Sequence, residues 1–239
     1  MAFARVPGLV SVVIPCYNAS PYITDCLNSI AEQTYSNLQI VLVNDGSTDH
    51  SLSEIRSWLQ RETAAKRFLE RGRFLLTDLP VNIGYSGANT VGLYMAQGEF
   101  IALQDADDLS HPERIAKQVD FLLKHGDISL VGTNIAEFRT NRPEVKAVPK
   151  WIRYGHEQIK ARYDQGSAGA CYGSLLFRGD VFDEMGGLVR NLPWKKAITG
   201  HDSRFIAKCL NHGYKIDNTP QVLYYYRLHP KQMSGRGQI

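Results

Sequence analysis

Three carboxylates stand close together at Asp105, Asp107 and Asp108, directly after the apolar run at residues 100–103. No lysine or arginine lies within this cluster, and Arg114 is the nearest cation along the chain. Like charges this close repel one another, and a divalent cation relieves the repulsion. Because oxygen ligands suit Mg²⁺ and Mn²⁺, the cluster favours a site for one of these metals.

A helix cap is the structural alternative for Asp107 and Asp108. Ser110 and Glu113, with Pro112 between them, have the spacing of a capping box. We therefore expect Ser110 to cap the following helix and to leave the acids free. A Mg²⁺ or Mn²⁺ held by one or two carboxylates takes its other ligands from substrate phosphates and water. The predicted metal site is thus also a diphosphate site.

Asp45 follows a second buried run at residues 39–43 and precedes the turn-forming residues 46–49. In parallel α/β sheets, ligands bind beyond the carboxyl ends of the strands, where this carboxylate would face a crevice. A strand-to-helix turn in which Asp45 bonds backbone N–H groups explains the same pattern. The residues by themselves leave both interpretations open.

Asp202 and His229 are candidates in the second half of the chain. Asp202 begins an apolar helical pattern that continues to residue 210, and such an aspartate is typical of an N-cap. His229 precedes Pro230, and its neighbours alone indicate a surface histidine. The local pattern assigns neither residue to chemistry.

Short apolar runs alternate with helical patterns, which is typical of βα units and a mostly parallel sheet. Strands are predicted at residues 11–14, 39–43, 73–76, 100–103, 130–138, 174–177 and 222–226. Helices are predicted after Ser20, Ser51 and Ser110, near residues 156–163, and from residue 202 to about residue 211. We expect an α/β fold in one domain over residues 1–239. A first half would reach about residue 108, and a second half would begin at about residue 109.

The composition is ordinary for a soluble globular protein, with 239 residues of which 44% are hydrophobic and 21% charged. The formal net charge of +3 is spread along the chain, so no nucleic-acid partner is expected. The four cysteines lack CxxC spacing, which predicts buried free thiols in a reducing compartment. No apolar run approaches the roughly 18–20 residues that span a bilayer. We expect a cytoplasmic protein without a transmembrane segment, and a location at the inner face of the membrane stays open for a lipid acceptor.

A series of short motifs runs from about residue 12 to residue 234. They are VVIPCYN at 12–18, VNDGSTD at 43–49, NIG at 82–84, GEFI at 98–101, DADD at 105–108, PER at 112–114, FR at 177–178, GG at 186–187, GHD at 200–202 and YRLHP at 226–230. Their order and spacing together resemble the family-2 glycosyltransferases, which have the GT-A fold, a Rossmann-like, mostly parallel sheet flanked by helices.

This resemblance implies that the half up to about residue 108 binds the nucleotide-sugar and that the half from about residue 109 binds the acceptor. It also implies roles for individual residues. The nucleotide-sugar pocket would be formed by Pro15, Tyr17, Asn18, Asp45, Gly84, Asp105, Ala106 and Asp107. Within it, Asp45 would hydrogen-bond the base and Asp105 would lie near the ribose or base. Asp107 would bind the metal together with His229, and Asp202 corresponds to the catalytic base. Asp108 is then left with a structural role.

The resemblance further implies a metal-dependent, inverting transfer of sugar from a nucleotide-sugar, a UDP-sugar, to an acceptor hydroxyl in surface glycan or glycoconjugate synthesis. The cofactor would be Mn²⁺ or Mg²⁺, and the acceptor a saccharide, glycolipid or protein. Trp194 either stacks on an acceptor sugar or anchors its own loop, and His201 stands where the family has a glutamate beside the base. The QxxRW motif of processive synthases is absent, so a single transfer is expected.

Two other functions compete with this hypothesis. A nucleotidyltransferase of related architecture would carry a glycine-rich phosphate loop with a basic residue after the first strand, where this chain has only residues 15–18, PCYN. A non-catalytic nucleotide- or carbohydrate-binding module would bind without turnover, and His201 keeps that alternative open. An Asp202→Asn variant separates such a module from an enzyme.

Overall fold

The computed structural model describes residues 4–61, 63–139, 148–187, 201–230 and 232, and among these residues 63, 64, 67, 201 and 202 by their backbone alone. Within this part of the chain, no helix is both long and apolar enough to cross a membrane. The described cysteines, Cys16, Cys26, Cys171 and Cys209, are all buried and free, as their spacing predicted.

Eight strands form one mixed sheet. They are β1 (Val6–Cys16), β2 (Leu38–Asn44), β3 (Phe74–Asp78), β4 (Gly98–Leu103), β5 (Leu109–Ser110), β6 (Leu130–Phe138), β7 (Leu176–Arg178) and β8 (Ile216–Arg227). The order across the sheet is β3-β2-β1-β4-β7-β6-β8-β5. The pairs β1–β2, β2–β3, β1–β4 and β6–β8 are parallel, whereas β7 and β5 pair antiparallel to their neighbours.

Helices cover both faces of this sheet. They are α1 (Ile23–Ala31), α2 (Ser51–Arg61), α3 (Thr63–Glu70), α4 (Tyr85–Met95), α5 (Arg114–Lys124), α6 (His156–Asp164), α7 (Gly179–Met185) and α8 (His201–Asn211), with a 3-10 turn at Tyr172–Ser174. Successive residues of β1 point to opposite faces, so Val12 and Ile14 join a core cluster with α1, α2 and α5. Val13 joins a second cluster with α4, α7 and α8. The predicted α/β architecture is confirmed.

The predicted cap at Ser110 is wrong. Ser110 belongs to β5, and its hydroxyl donates to Oε1 of Gln104 at 2.7 Å. Helix α5 begins only at Arg114, after Glu113 in the N-cap position without a capping side chain. Gln104, the partner of Ser110, lies six residues earlier in the loop after β4. A capping pattern covers only the residues at the helix start, so it gives no information about this partner.

Candidate active site

The carboxyl ends of three neighbouring parallel strands form the sheet edge where the acidic residues lie. β1 ends at Cys16, β2 at Asn44 and β4 at Leu103. Asp45 directly follows β2, and its N–H donates to the carbonyl of Cys16 at 2.8 Å. Asp105 lies just beyond the end of β4. Parallel pairing therefore brings both acidic segments to one edge.

Asp107 and His229 contact each other across 122 positions of sequence. His229 Nε2 lies 2.9 Å from Asp107 Oδ2, and the two side chains are 10% and 30% exposed. The other ring nitrogen of His229, Nδ1, is buried and has no hydrogen-bond partner in the described part of the protein. The histidine that its neighbours alone assigned to the surface thus faces the acidic cluster.

This pair fits two adjacent ligands of Mn²⁺ or Mg²⁺. Ligand atoms at about 2.1 Å from an octahedral ion lie about 3 Å apart, close to the 2.9 Å between Asp107 Oδ2 and His229 Nε2. Imidazole suits transition metals, and carboxylates suit both ions. The described residues contain no group of three or more His, Cys, Asp or Glu side chains that could hold a metal. Further ligands would therefore come from phosphates and water, as is usual for these ions.

Asp105 is held by two tyrosines. Its Oδ1 accepts the hydroxyl of Tyr85 at 2.9 Å, and its backbone N–H donates to the hydroxyl of Tyr224 at 3.2 Å. Gly173 lies against the other carboxylate oxygen, since a Cβ built on it would come within 2.6 Å of Asp105 Oδ2. Asp105 is therefore fixed from α4, from β8 and from the 3-10 turn.

Asp108 is buried and ties the acidic loop to the last strand. Its Oδ1 accepts the backbone N–H of Arg227 at 2.7 Å. Burial, and after it the charges of Asp107 and Asp105, raise the pKa of Asp108 well above its usual value. These contacts support the structural role expected for this residue.

Arg227 supports the pair formed by Asp107 and His229. Its Nε donates to the carbonyl of Asp107 at 2.7 Å, and its guanidinium lies 5.0 Å from the ring centroid of Tyr22 and 4.7 Å from that of Phe138. The Tyr22 ring in turn lies 4.5 Å from the ring of His229. The acidic loop and the segment after β8 are therefore joined through Arg227 and Tyr22.

Arg114 is a fully buried cation beneath the acidic loop. Its Nη2 donates to the carbonyl of Leu103 at 2.8 Å, and its Nη1 to the carbonyl of Gly173 at 3.3 Å. Burial lowers the pKa of Arg114 to about 10, so the group stays protonated at neutral pH. It links the end of β4 to the 3-10 turn and places a positive charge near the carboxylates.

The Asp45 carboxylate accepts hydrogen bonds from backbone N–H groups, as one of its two interpretations required. The donors, however, lie in the loop before α4 and not in the turn that follows Asp45. Its Oδ1 accepts the N–H of Ile83 at 2.7 Å, and its Oδ2 accepts the N–H of Gly84 at 3.0 Å. The side chain is buried, and Gly46 beside it has a φ of 62°. The carboxylate thus fastens the loop before α4 to the end of β2.

The segment after β1 presents one exposed ring and one structural asparagine. Pro15 is buried in β1, whereas the Tyr17 ring is 50% exposed at the site edge. Asn18 has a φ of 50°, and its Oδ1 accepts the N–H groups of Thr48 at 2.9 Å and Asp49 at 3.3 Å. Asn18 therefore orders the neighbouring loop, and Tyr17 is the most exposed side chain of residues 15–18.

The remaining candidate residues differ in how completely the structure describes them. Gly84 precedes α4 with a φ of 84°, and Ala106 is buried in the core cluster beneath the loop. Asp202 and His201 are the first two residues of α8, described by backbone alone. Trp194 lies outside the described residues.

Sequence reasoning did not single out the residues that hold the site together, Tyr22, Tyr85, Tyr224 and Arg227. Arg227 lies within the motif at residues 226–230, so its place there was an available signal. The tyrosines carry no local signal, because their partners are far away in sequence: Tyr224 and Asp105 are 119 positions apart.

Comparisons with known proteins agree with this geometry. The model of Glycosyl transferase family 2 matches residues 11–186. An uncharacterized glycosyltransferase of Haemophilus influenzae is 35% identical over 125 residues, which cover 52% of this chain and 36% of that protein. Another, from Methanocaldococcus jannaschii, is 24% identical over 232 residues, covering 92% of this chain and 71% of that protein. The chain therefore spans about a third of this Haemophilus protein, and 43% of a second uncharacterized glycosyltransferase from the same organism.

Solved structures share the fold at low identity. Staphylococcus aureus TarS 1-349 in complex with UDP-GlcNAc has a TM-score of 0.70 and 20% identity, covering 96% of this chain and 61% of that one. The mannosyltransferase PcManGT from Pyrobaculum calidifontis, in complex with GDP-Man and Mn²⁺, has a TM-score of 0.67 and 22% identity, covering 93% and 57%. The fold is therefore of the GT-A type.

Proposed function

Because the chain belongs to glycosyl transferase family 2, we propose that it transfers a sugar from a UDP-sugar to an acceptor hydroxyl, with Mn²⁺ or Mg²⁺ and with inversion at the anomeric carbon. The observation that carries this proposal is the contact of Asp107 with His229 at the carboxyl edge of the sheet. It sets 2.9 Å between a carboxylate oxygen, which suits both ions, and an imidazole nitrogen, which suits a transition metal such as Mn²⁺ better than Mg²⁺. The acceptor would be a saccharide, glycolipid or protein in surface glycan or glycoconjugate synthesis.

Asp107 and His229 would hold the metal, which supplies positive charge to the diphosphate leaving group. Tyr17 would contact the base with its exposed ring, and Asp105 would lie on the nucleoside side. The complexes of TarS with UDP-GlcNAc and of PcManGT with GDP-Man and Mn²⁺ support a nucleotide-sugar donor and a divalent cation for this chain.

Asp202 is the proposed general base. It would take the proton from the acceptor hydroxyl while that oxygen attacks the anomeric carbon opposite the diphosphate. Its backbone lies second in α8, inside the helix rather than at the N-cap position that the local pattern indicated. His201 and Trp194 are proposed acceptor contacts.

A thermal-shift panel tests the donor and the metal. UDP-, GDP- and dTDP-sugars are each measured with Mn²⁺, with Mg²⁺ and with chelator. We expect a UDP-sugar to raise the melting temperature in the presence of metal only, since a ligand at 100 times its Kd stabilises the folded state by about 2.7 kcal/mol. No shift with any nucleotide-sugar in either metal would refute the proposal.

Three variants separate binding from catalysis. Asp107→Asn is expected to abolish the metal-dependent shift, whereas Asp120→Asn, an exposed α5 carboxylate paired with Lys124, should keep it. Asp202→Asn should keep the shift and lose UDP release by roughly 10²–10⁴-fold, the usual contribution of a general base. If Asp202→Asn turns over like the parent, or the parent binds donor without any turnover, the enzyme assignment fails in favour of a binding module.

A further inference from the structure

The 3-10 turn Tyr172–Ser174 lies between the acidic loop and helix α8. On one side Gly173 faces Asp105, whose Oδ2 would be 2.6 Å from a Cβ built on the glycine. On the other side the ring of Tyr172 meets the ring of Phe205 edge-on, with 5.9 Å between centroids. Phe205 lies one helical turn after Asp202. This one turn therefore contacts both the acidic loop and helix α8, the two segments that carry the residues proposed for the reaction.

Tyr172 also contacts the helix that supports Asp105. Its ring lies edge-on to Tyr85 at 6.4 Å between centroids, and its hydroxyl donates to Oδ1 of Asn89 at 3.3 Å. The hydroxyl of Tyr85 in turn donates to Asp105 at 2.9 Å. Tyr172 is almost fully buried, so its ring has little freedom to adopt another position.

We propose that Tyr172 is a positioning residue that sets the distance between the donor side of the site, through Tyr85 and Asp105, and the helix that carries Asp202. The rings of Tyr85, Tyr172 and Phe205 contact one another in turn and form a spacer, because close-packed side chains have low compressibility and each ring belongs to a different element. This inference rests on the proposed function, since it assumes that Asp105 and Asp202 act on the same donor.

The kinetic test removes the ring and then restores it. Tyr172→Leu should lower kcat for UDP release by roughly 10- to 100-fold, because small misplacements of reacting groups cost rate on that scale. Its KM for the donor should stay within about threefold of the parent, since Asp107, His229 and Tyr17 are untouched and Asp105 keeps its bonds to Tyr85 and Tyr224. Tyr172→Phe, which keeps the ring and removes the hydroxyl that bonds Asn89, should restore kcat. Phe205→Leu is a second variant, expected to show the same separation of kcat from KM.

Tyr163→Leu is the matched control. Tyr163 is a buried tyrosine of α6 in the same core cluster as Phe205, and its hydroxyl lies 3.5 Å from the carbonyl oxygen of Ala170. It should lose comparable stability and keep kcat. Equal losses of kcat in Tyr163→Leu and Tyr172→Leu, or an unchanged kcat in Tyr172→Leu, would overturn the proposal.

Hydrogen exchange supplies a readout that does not need turnover. Tyr172→Leu should speed amide exchange in both α8 and α4 by roughly two- to tenfold, whereas Tyr163→Leu should do so in α8 but not in α4. Faster exchange confined to α8 in Tyr172→Leu would overturn the spacer role. A parent protein that turns over no donor would count against the proposed function, while the exchange pattern would still decide the role of Tyr172.

Discussion

The carboxylate of Asp45 accepts one backbone N–H at each oxygen, from Ile83 and Gly84. A charged acceptor strengthens such bonds, and both donors belong to the loop that leads into α4. Any contact of Asp45 with a nucleotide base would have to use the lone pairs that these bonds leave. The residue therefore supports the loop whether or not a donor is bound.

Replacing Asp45 should cost stability before it affects binding. Asp45→Ala removes two charge-assisted hydrogen bonds, so we expect the free energy of unfolding to fall by about 3 kcal/mol in urea titrations. Asp45→Asn keeps one acceptor oxygen and should lose about half as much. The control, Asp164→Ala, removes an exposed ion pair with Lys160 and should change stability by less than about 1 kcal/mol. Equal effects of the two alanine variants would contradict the supporting role.

Helix α4 lies against β1 with no room for a side chain at one position. A Cβ built on Gly92 would come within 2.5 Å of Cγ1 of Val13. Val13 belongs to β1, at the centre of the parallel half of the sheet. The glycine thus lets α4 approach the sheet, and α4 in turn places Tyr85 and Gly84 at the carboxyl edge.

Gly92→Ala should destabilise the protein although alanine favours helices. Helix propensity alone would add about 1 kcal/mol of stability, but overpacking against Val13 costs about 1–3 kcal/mol. We expect a net loss in the free energy of unfolding, measured by urea denaturation. Gly126→Ala is the control, because a Cβ there meets nothing within 4 Å. A stabilised Gly92→Ala would show that the helix shifts without cost.

The buried thiols make the stability of the whole molecule fall at alkaline pH. Burial raises the pKa of Cys209 to about 12, and that of Cys16 also to about 12. In the unfolded chain a cysteine titrates at about 8.5. Because the folded pKa is the higher one, the contribution of each thiol is fully present below pH about 8.5 and is lost as the pH rises towards 12.

Cys209→Ala isolates one of these contributions at a distance from the acidic loop. Between pH 7 and pH 10 the parent should lose about 2 kcal/mol more unfolding free energy than the variant, as 1.5 pH units above the unfolded pKa imply. The comparison uses urea titrations under reducing conditions, so that disulfides do not form. An identical pH dependence of parent and variant would show that the Cys209 thiol ionises freely in the folded protein.

Local sequence patterns predicted the strands and the acidic character of the candidate site. The run at residues 39–43 became β2, and the predicted strand at residues 130–138 matches β6; both strands are buried on two faces. The charge of the acidic cluster by itself predicts a cation site. Each of these features depends on residues that are adjacent in the sequence, so a short segment is enough to predict it.

Tertiary structure decided which distant residues complete the site. Because β8 lies between β6 and β5, the segment after β8 returns to the acidic loop, and His229 meets Asp107. The same sheet order brings Tyr224 to Asp105, and packing between helices brings Tyr172 to Phe205. Ser110 bonds Gln104 rather than capping α5 because it belongs to β5, a strand of the same sheet. Periodicity and charge are properties of short segments, whereas these partners are set by the sheet order and by the packing of elements against one another.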